Sequence, residues 1–311
     1  MEIIKEIGDE KISKVYIAKL KEEYIEFVEA LTPPLNIKKK WVIIISTQVG
    51  CPFKCKFCDA GGNFKRNLKE EEIFKQINFL INNRFKDGFV ETEKFKIQFA
   101  RVGEPTLNND VLNVLKKLKE KIKCKNLIPS ISTIAPSNCL NFLKNLTEIK
   151  DKYYSNGNFQ LQFSIHSTDE KKRNWLSKAK KLSLEEISDF GEYFFKKKDK
   201  KITLNFALME EKDIEIRKIK KIFSKEKFLI KITPVNPTIS AINGKIPSLW
   251  FEDKEKIKKI SNELKIEGFE VIESLGELKE NEIGSNCGQY IQKFLKENFK
   301  ENLISYNLAK N

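Results

Sequence analysis

Apolar and polar positions come in alternating blocks from about residue 41 to 273. Short apolar runs rich in Ile, Val and Phe recur at 41–46, 95–100, 127–133, 159–165, 202–208 and 228–232, and each predicts a β-strand. Between them, apolar residues fall at helical spacing over 70–82, 111–121, 139–146, 184–195, 214–223 and 253–264, which predicts amphipathic helices. Six such units in series imply an α/β fold with parallel strands and right-handed crossovers. A doubly wound sheet and a βα barrel both satisfy that order. Residues 13–31 carry two apolar runs about Lys21-Glu22-Glu23, predicting a hairpin, with a helix over 22–31 as the competing reading. Thr32-Pro33-Pro34 then breaks the chain. After Glu273 the sequence is polar and loop-like, and a last amphipathic helix is predicted over 290–297. The division this suggests is an N-terminal extension at 1–40, a main unit at 41–275 and a C-terminal loop and helix at 276–311.

A chain of 311 residues, 40% hydrophobic and 33% charged, is long enough to bury a sizeable core and reads as globular. No run approaches the roughly 18 apolar residues of a membrane helix, and the first residues do not form a signal peptide, so a cytoplasmic protein is expected. The net charge of +14 invites an anionic partner. Only five of the 58 basic residues are arginine, however, and arginine is the better fork for phosphate and base edges. Most of the lysines therefore read as solvated helix faces. Trp41, Trp175 and Trp250 read as packing residues.

Three of the six cysteines crowd into Cys51-Pro-Phe-Lys-Cys55-Lys-Phe-Cys58, directly after the strand WVIIIS. That spacing suits a metal better than a disulfide, and a reducing compartment fits it. Three thiolates on one short loop can hold three corners of a [4Fe–4S] cube, leaving the fourth iron open. The open iron can chelate the amino and carboxylate groups of S-adenosylmethionine and pass an electron to its sulfonium, with Phe57 packed beside cluster and adenine. The competing readings are a structural zinc loop completed by Cys287 or by His166, the one histidine, and an electron carrier, which wants a fourth cysteine.

With these residues the chain resembles the radical S-adenosylmethionine superfamily, and within it the RlmN/Cfr family, which methylates adenine carbons in RNA. The resemblance spans roughly residues 10 to 295 and rests on ordered landmarks: Ser46-Thr47-Gln48-Val49-Gly50-Cys51, Arg66-Asn67-Leu68, Gly103-Glu104-Pro105 with Leu107-Asn108, Ser132-Thr133, Ser164-Ile165-His166, Asn236-Pro237 and Cys287-Gly288-Gln289. It implies a partial (β/α)6 barrel with an N-terminal hairpin extension. It implies cluster ligation by Cys51, Cys55 and Cys58, and S-adenosylmethionine held by Gly103, Glu104, Ser132, Ser164, Ile165, His166 and Asn236. A glycine permits close approach there and a carboxylate satisfies the cofactor's ammonium, although a turn capped by Glu104 would look the same. His166 is implied as a pocket residue and not a proton shuttle.

By the same resemblance Cys287 carries the methyl group. Its thiolate takes a methyl from one S-adenosylmethionine, and a radical generated from a second moves that carbon onto the ring. A thiol close to a helix N-terminus would ionise readily. A buried structural cysteine is the plainer alternative. Glu26 is implied as the proton acceptor, with Glu29 its rival. A one-electron donor such as flavodoxin or ferredoxin is implied as a partner.

Three positions depart from the family pattern. Ile44 stands where the family has its resolving cysteine; Cys124 and Cys139 are the substitutes on offer, although helix or strand-edge packing is the expected role of each. Only about forty residues precede the core, where the family has an RNA-binding domain. Arg101 stands where glycine is usual and suggests a substrate carboxylate or phosphate, or an acidic partner within the chain. The expected substrate is therefore an adenine or related nucleobase in RNA, with a small molecule, free nucleotide or peptide as the alternative. A non-catalytic iron–sulfur RNA-binding or regulatory protein is the further one.

Overall fold

The computed structural model describes residues 1–31 and 35–290. The break at Thr32-Pro33-Pro34 and, past Tyr290, the helix predicted over 290–297 lie outside the described residues. The chain opens with β1 (Glu2–Asp9), β2 (Ser13–Leu20) and β3 (Glu23–Ala30), an antiparallel meander whose last strand pairs with β4 (Trp41–Ile45). A small hairpin of β5 (Gln48–Cys51) and β6 (Gly62–Asn67) leads into α1 (Glu70–Arg84). The two-residue β7 (Phe89–Val90) precedes β8 (Phe95–Phe99) and α2 (Asp110–Lys121). There follow β9 (Lys123–Cys124), β10 (Leu127–Thr133), α3 (Leu140–Tyr153), β11 (Gln160–Ser164), α4 (Glu170–Leu176), α5 (Leu184–Phe194), β12 (Ile202–Leu208), α6 (Ile216–Ile222) and β13 (Phe228–Pro234). The described chain closes with α7 (Ile239–Asn243), α8 (Leu249–Glu252), α9 (Lys254–Ile266), β14 (Glu270–Glu273) and α10 (Lys279–Ile283).

One ten-stranded sheet runs β1-β2-β3-β4-β8-β10-β11-β12-β13-β14, and every pair from β4 to β14 is parallel. This is the partial βα barrel expected, with corrections at its ends. The extension is a three-stranded meander; β1, largely exposed, carries little hydrophobic signal. Residues 23–30 are strand and not helix, because pairing on both sides outweighs their helical spacing. A seventh parallel strand, β14, stands at the other edge. The polar C-terminal segment holds the short helix α10, whose Ile283 packs with Val15, Ile17, Val28 and Val42.

The period-2 pattern of the parallel strands sorts the side chains onto two faces. Trp41, Ile43, Phe95, Ile97, Phe99, Leu161, Phe163, Leu204 and Ile230 point to the helices and form the main core. The intervening residues, among them Lys96, Gln98, Gln162, Asn205 and Lys231, share the inner face. Trp41 and Trp250 pack as expected, but Trp175 is exposed on α4 with the Lys56 ammonium 4.9 Å from its ring.

Candidate active site

The three-cysteine loop is the connection between β5 and β6, at the C-terminal end of β4, where βα barrels place their chemistry. Its neighbours explain several sequence landmarks as scaffolding. Gln48 donates through Nε2 to Asn67 Oδ1 (2.8 Å) and accepts from the Glu104 amide (2.8 Å). Asn67 donates to the Leu107 carbonyl, and Asn108 donates to both Thr47 O and Leu68 O at 2.8 Å. Arg66 is held between Glu23 and Glu72. Gly103 has φ +104°, and a Cβ there would stand 2.6 Å from that of Gln48, so this landmark requires glycine. The STQVG, RNL and GEP-x-LN stretches are thus one network that fixes the loop. Asn108→Ala is expected to lower stability by about 1–3 kcal/mol, because two buried carbonyls each lose a donor, Thr47 O keeping only the Leu68 amide; the denaturation midpoint reads it.

Cys51, Cys55 and Cys58 are electrostatic neighbours, and burial pushes their thiols up, Cys51 to about 12. Among the described residues no three His, Cys, Asp or Glu side chains are gathered tightly enough to hold a single ion. A cubane asks for something else, one thiolate at each of three corners. Three adjacent cysteines on one rigid loop fit that donor set.

The strand ends around this loop carry the remaining expected residues. Glu104 is buried and accepts from Thr106 N, Thr106 Oγ1 and Ile134 N, so it does cap a turn; burial raises its pKa against those bonds. Ser164, Ile165 and His166 line a narrow cavity with Cys55 and Phe57. The His166 ring meets Phe57 edge-on at 4.9 Å, and its Nδ1 accepts from the Ala207 amide, which leaves Nε2 to carry the proton. Burial pushes its pKa down to about 3. His166 is therefore neutral throughout the physiological range, so its ring resonances should not titrate between pH 8 and 5. An unfolded histidine binds a proton near 6.5, so stability from this group is complete above that value and lost as pH falls towards 3. Ser132 and Asn205 sit on the inner face. The Oδ1 atoms of Asn205 and Asn236 are buried without a partner among the described residues. Such orphaned acceptors, one midway along β12 and one just past β13, suit a ligand that brings donors.

Cys287 lies beside the three-cysteine loop. Asn236 Nδ2 donates to its carbonyl (3.1 Å), and the Asp59 amide donates to Gly288 O (2.7 Å). Gly288, at φ +85°, sits so close that an added Cβ would be 3.0 Å from Phe57 O. Asp59 also accepts from the amides of Ile239 and Ser240, tying the loop to α7, and Thr238 Oγ1 donates to Phe57 O. Tyr290 packs with Ala60, Val102 and Cys58. The helix expected to favour ionisation of Cys287 lies outside the described residues. Within them the side chain is exposed by surface area, yet desolvation by the surrounding protein raises the thiol pKa, with Lys231 and Arg101 opposing the shift.

Arg101 was not foreseen as a clamp. Its Nε donates to Glu26 Oε1 (2.6 Å), and its two other nitrogens donate to the carbonyls of Gly284, Ser285 and Asn286. It meets an acid of the chain itself and grips the segment that carries Cys287. Glu26 faces Arg101, whereas Glu29 points to the opposite face, towards Trp41 and Arg84. The substitute thiols are remote: Cys139 is in the main core at the start of α3, and Cys124 is in β9, at the N-terminal end of the barrel strands. Ile44 lies against the apolar cluster of Val15, Ile17, Val28 and Val42.

A family model described as the radical SAM superfamily matches residues 45–223, more than half of the chain. A structure of a radical SAM methyltransferase from Sphaerobacter thermophilus superposes with a TM-score of 0.70 at 18% identity, covering 92% of this chain and 80% of that one. Streptococcus suis SuiB bound to the precursor peptide SuiA gives 0.53 at 17% identity, with 78% and 50% covered. These likenesses share the fold. The chain belongs to the radical SAM superfamily, whose members depend on S-adenosylmethionine and an iron–sulfur cluster.

The relatives narrow this. A probable dual-specificity RNA methyltransferase RlmN from Carboxydothermus hydrogenoformans is 30% identical over 288 residues, 90% of this chain and 76% of its own length. Its namesake from Pseudothermotoga lettingae is 32% identical over 213 residues, 66% of this chain and 57% of its own, so the chain spans little more than half of that relative. This protein is a member of the RlmN/Cfr-type methyltransferase family, an enzyme family. Among the described residues no helix is long and apolar enough to cross a membrane.

Proposed function

We propose that this protein is a radical S-adenosylmethionine methylase that transfers carbon through Cys287 to an sp2 carbon of an adenine or related nucleobase, with RNA as the bearer of that base. Cys51, Cys55 and Cys58 hold a [4Fe–4S] cluster, and Gly103, Glu104, Ser132, Ser164, Ile165, His166 and Asn236 surround S-adenosylmethionine. When bound, these two groups, fed by a one-electron donor such as flavodoxin or ferredoxin, supply a carbon-centred radical. The chain's own work is positioning. Cys287 carries the methyl, Asn236 and Arg101 hold its backbone, and neutral His166 braces Phe57 without moving a proton. Glu26 orients Arg101 against the segment that leads into Cys287.

The observation that carries this reading is the direct fastening of the Cys287 segment to the three-cysteine loop through Asp59 and Gly288, with Asn236 beyond β13 holding the Cys287 carbonyl. A structural cysteine would not need that placement. The test is anaerobic reconstitution followed by incubation with S-adenosylmethionine bearing an isotopically labelled methyl. Peptide mass spectrometry should find the label on Cys287. Label confined to other residues, or absent from the protein and its product, overturns the carrier role.

A further inference from the structure

A cluster on Cys51, Cys55 and Cys58 has to be reduced before it can pass an electron on, so a reductant must reach this loop from solvent. What covers the loop decides where. One part is closed: Thr238 Oγ1 donates to Phe57 O, the Asp59 amide donates to Gly288 O, and Tyr290 packs with Cys58 and Ala60. Around Cys55 the loop is open, since both flanking residues, Lys54 and Lys56, are exposed.

That open side has the make-up of a docking surface. The Lys56 amide donates to the Leu176 carbonyl (2.9 Å), joining the loop to the end of α4, and its ammonium stands 4.9 Å from the centre of the Trp175 ring. Trp175 is 47% exposed, although tryptophan is on average a highly buried side chain. The Lys54 side chain lies along Gly62 at the start of β6, where an added Cβ would stand 3.1 Å from its Cε, and Phe64, two residues on, is 44% exposed. Lys178, also exposed, follows just beyond α4. The charges here are unanswered. Lys172 and Arg173 of α4 pair with Glu210 and Glu170, whereas Lys54, Lys56 and Lys178 have no carboxylate partner among the described residues. Unpaired lysines around exposed aromatic rings fit an acidic protein: the charges steer the encounter and the rings supply the contact. Electron-transfer pairs use small, transient interfaces of this kind. The patch holds none of the arginine forks that suit RNA phosphates and base edges. An RNA must also present a base to Cys287, whereas a reductant need only touch the loop.

We propose that the open side of the three-cysteine loop, formed by Lys54, Lys56, Phe64, Trp175 and Lys178, is the docking surface for an acidic one-electron donor protein of the flavodoxin type. One electron leaves the donor's reduced flavin and the cluster gains it; no bond is made or broken in this step. The inference deepens the reading above and rests on its assignment of the cluster to the three cysteines, but takes nothing from Cys287.

The experiment pairs binding with reduction. Calorimetric titration of the full chain with flavodoxin reads docking without turnover. Anaerobic stopped-flow mixing of the reconstituted protein with reduced flavodoxin reads electron entry as bleaching of the cluster's visible absorption. Lys54→Glu/Lys56→Glu should weaken binding and slow reduction by flavodoxin by about tenfold or more, and added salt should weaken binding in the wild type. Reduction by dithionite, a small molecule that needs no docking surface, should be little changed in the same variant. Trp175→Ala should weaken flavodoxin binding while leaving its salt dependence in place. Unchanged flavodoxin affinity in the charge-reversed variant, or dithionite reduction slowed as much as reduction by flavodoxin, overturns the proposal. So does a variant that keeps flavodoxin and loses an adenine-containing oligoribonucleotide, which would make the patch a nucleic-acid surface. A chain that takes up no cluster overturns the cluster assignment, and the titration still judges the surface. Flavodoxin docking and reduction that match these expectations while no label reaches Cys287 overturn the methyl-carrier reading alone.

Discussion

Cys287→Ala is expected to abolish methyl transfer, by about a thousandfold or more, while S-adenosylmethionine still binds and is still cleaved. The separation matters because a merely structural cysteine would lose both functions together. Cys287→Ser is the sharper variant, since it keeps the volume and the backbone bonds from Asn236 and Asp59 but replaces the thiol with a far weaker nucleophile. It should fold like the wild type and be as inactive as the alanine variant. The raised thiol pKa adds a pH signature. Below that pKa the thiolate fraction grows tenfold per pH unit, so alkylation of Cys287 by iodoacetamide should keep accelerating past pH 9. Lys231→Met removes a neighbouring cation that favours the thiolate, so it should slow alkylation at every pH below the plateau. Product formation retained in Cys287→Ser would defeat the assignment.

The second large effect lies at Arg101. The pair it forms with Glu26 is almost wholly withdrawn from solvent, with side-chain exposures of 3% and 0%. Breaking such a pair from one side leaves a buried charge alone and costs about 3–5 kcal/mol, whereas removing both charges is often close to neutral. Arg101→Met should therefore unfold at much lower denaturant, and Arg101→Met/Glu26→Leu should recover most of the loss. Activity should not recover with it. The carbonyls of Gly284, Ser285 and Asn286 also depend on the guanidinium, so the double variant keeps its fold while the segment that bears Cys287 is loosely held. Restored stability with restored product formation would reduce Arg101 to a structural role. A stable single variant would show that the pair is not what holds the segment.

The parallel core was legible because helix-facing residues such as Ile43, Ile97 and Phe163 give both the period and the apolar content of buried strands. The three-cysteine loop was legible because local spacing alone brings its thiols together. What escaped was non-local. Lys96 in FKIQF and Lys231 in FLIKITP alternate with apolar residues, and alternation alone cannot tell solvent from the polar inner face of a barrel. Arg101 was seen as an oddity, but its partners lie 75 and more than 180 residues away in the chain. The four-residue strands β5 and β14 are too short to carry a period, and β6 (GNFKRN) has a single large apolar residue. Cys124 and Cys139 could be weighed as spare thiols until the fold set them far from Cys287.

The N-terminal meander shapes how this protein can be trimmed. Because Glu26 on β3 answers Arg101 at the end of β8, and Ser13 on β2 bonds Ser285 beside Cys287, the first thirty residues are not a detachable appendage. Cutting them away to obtain a minimal barrel would strand the guanidinium and unmoor the far end of the chain at once. The smallest autonomous catalyst must begin before β2.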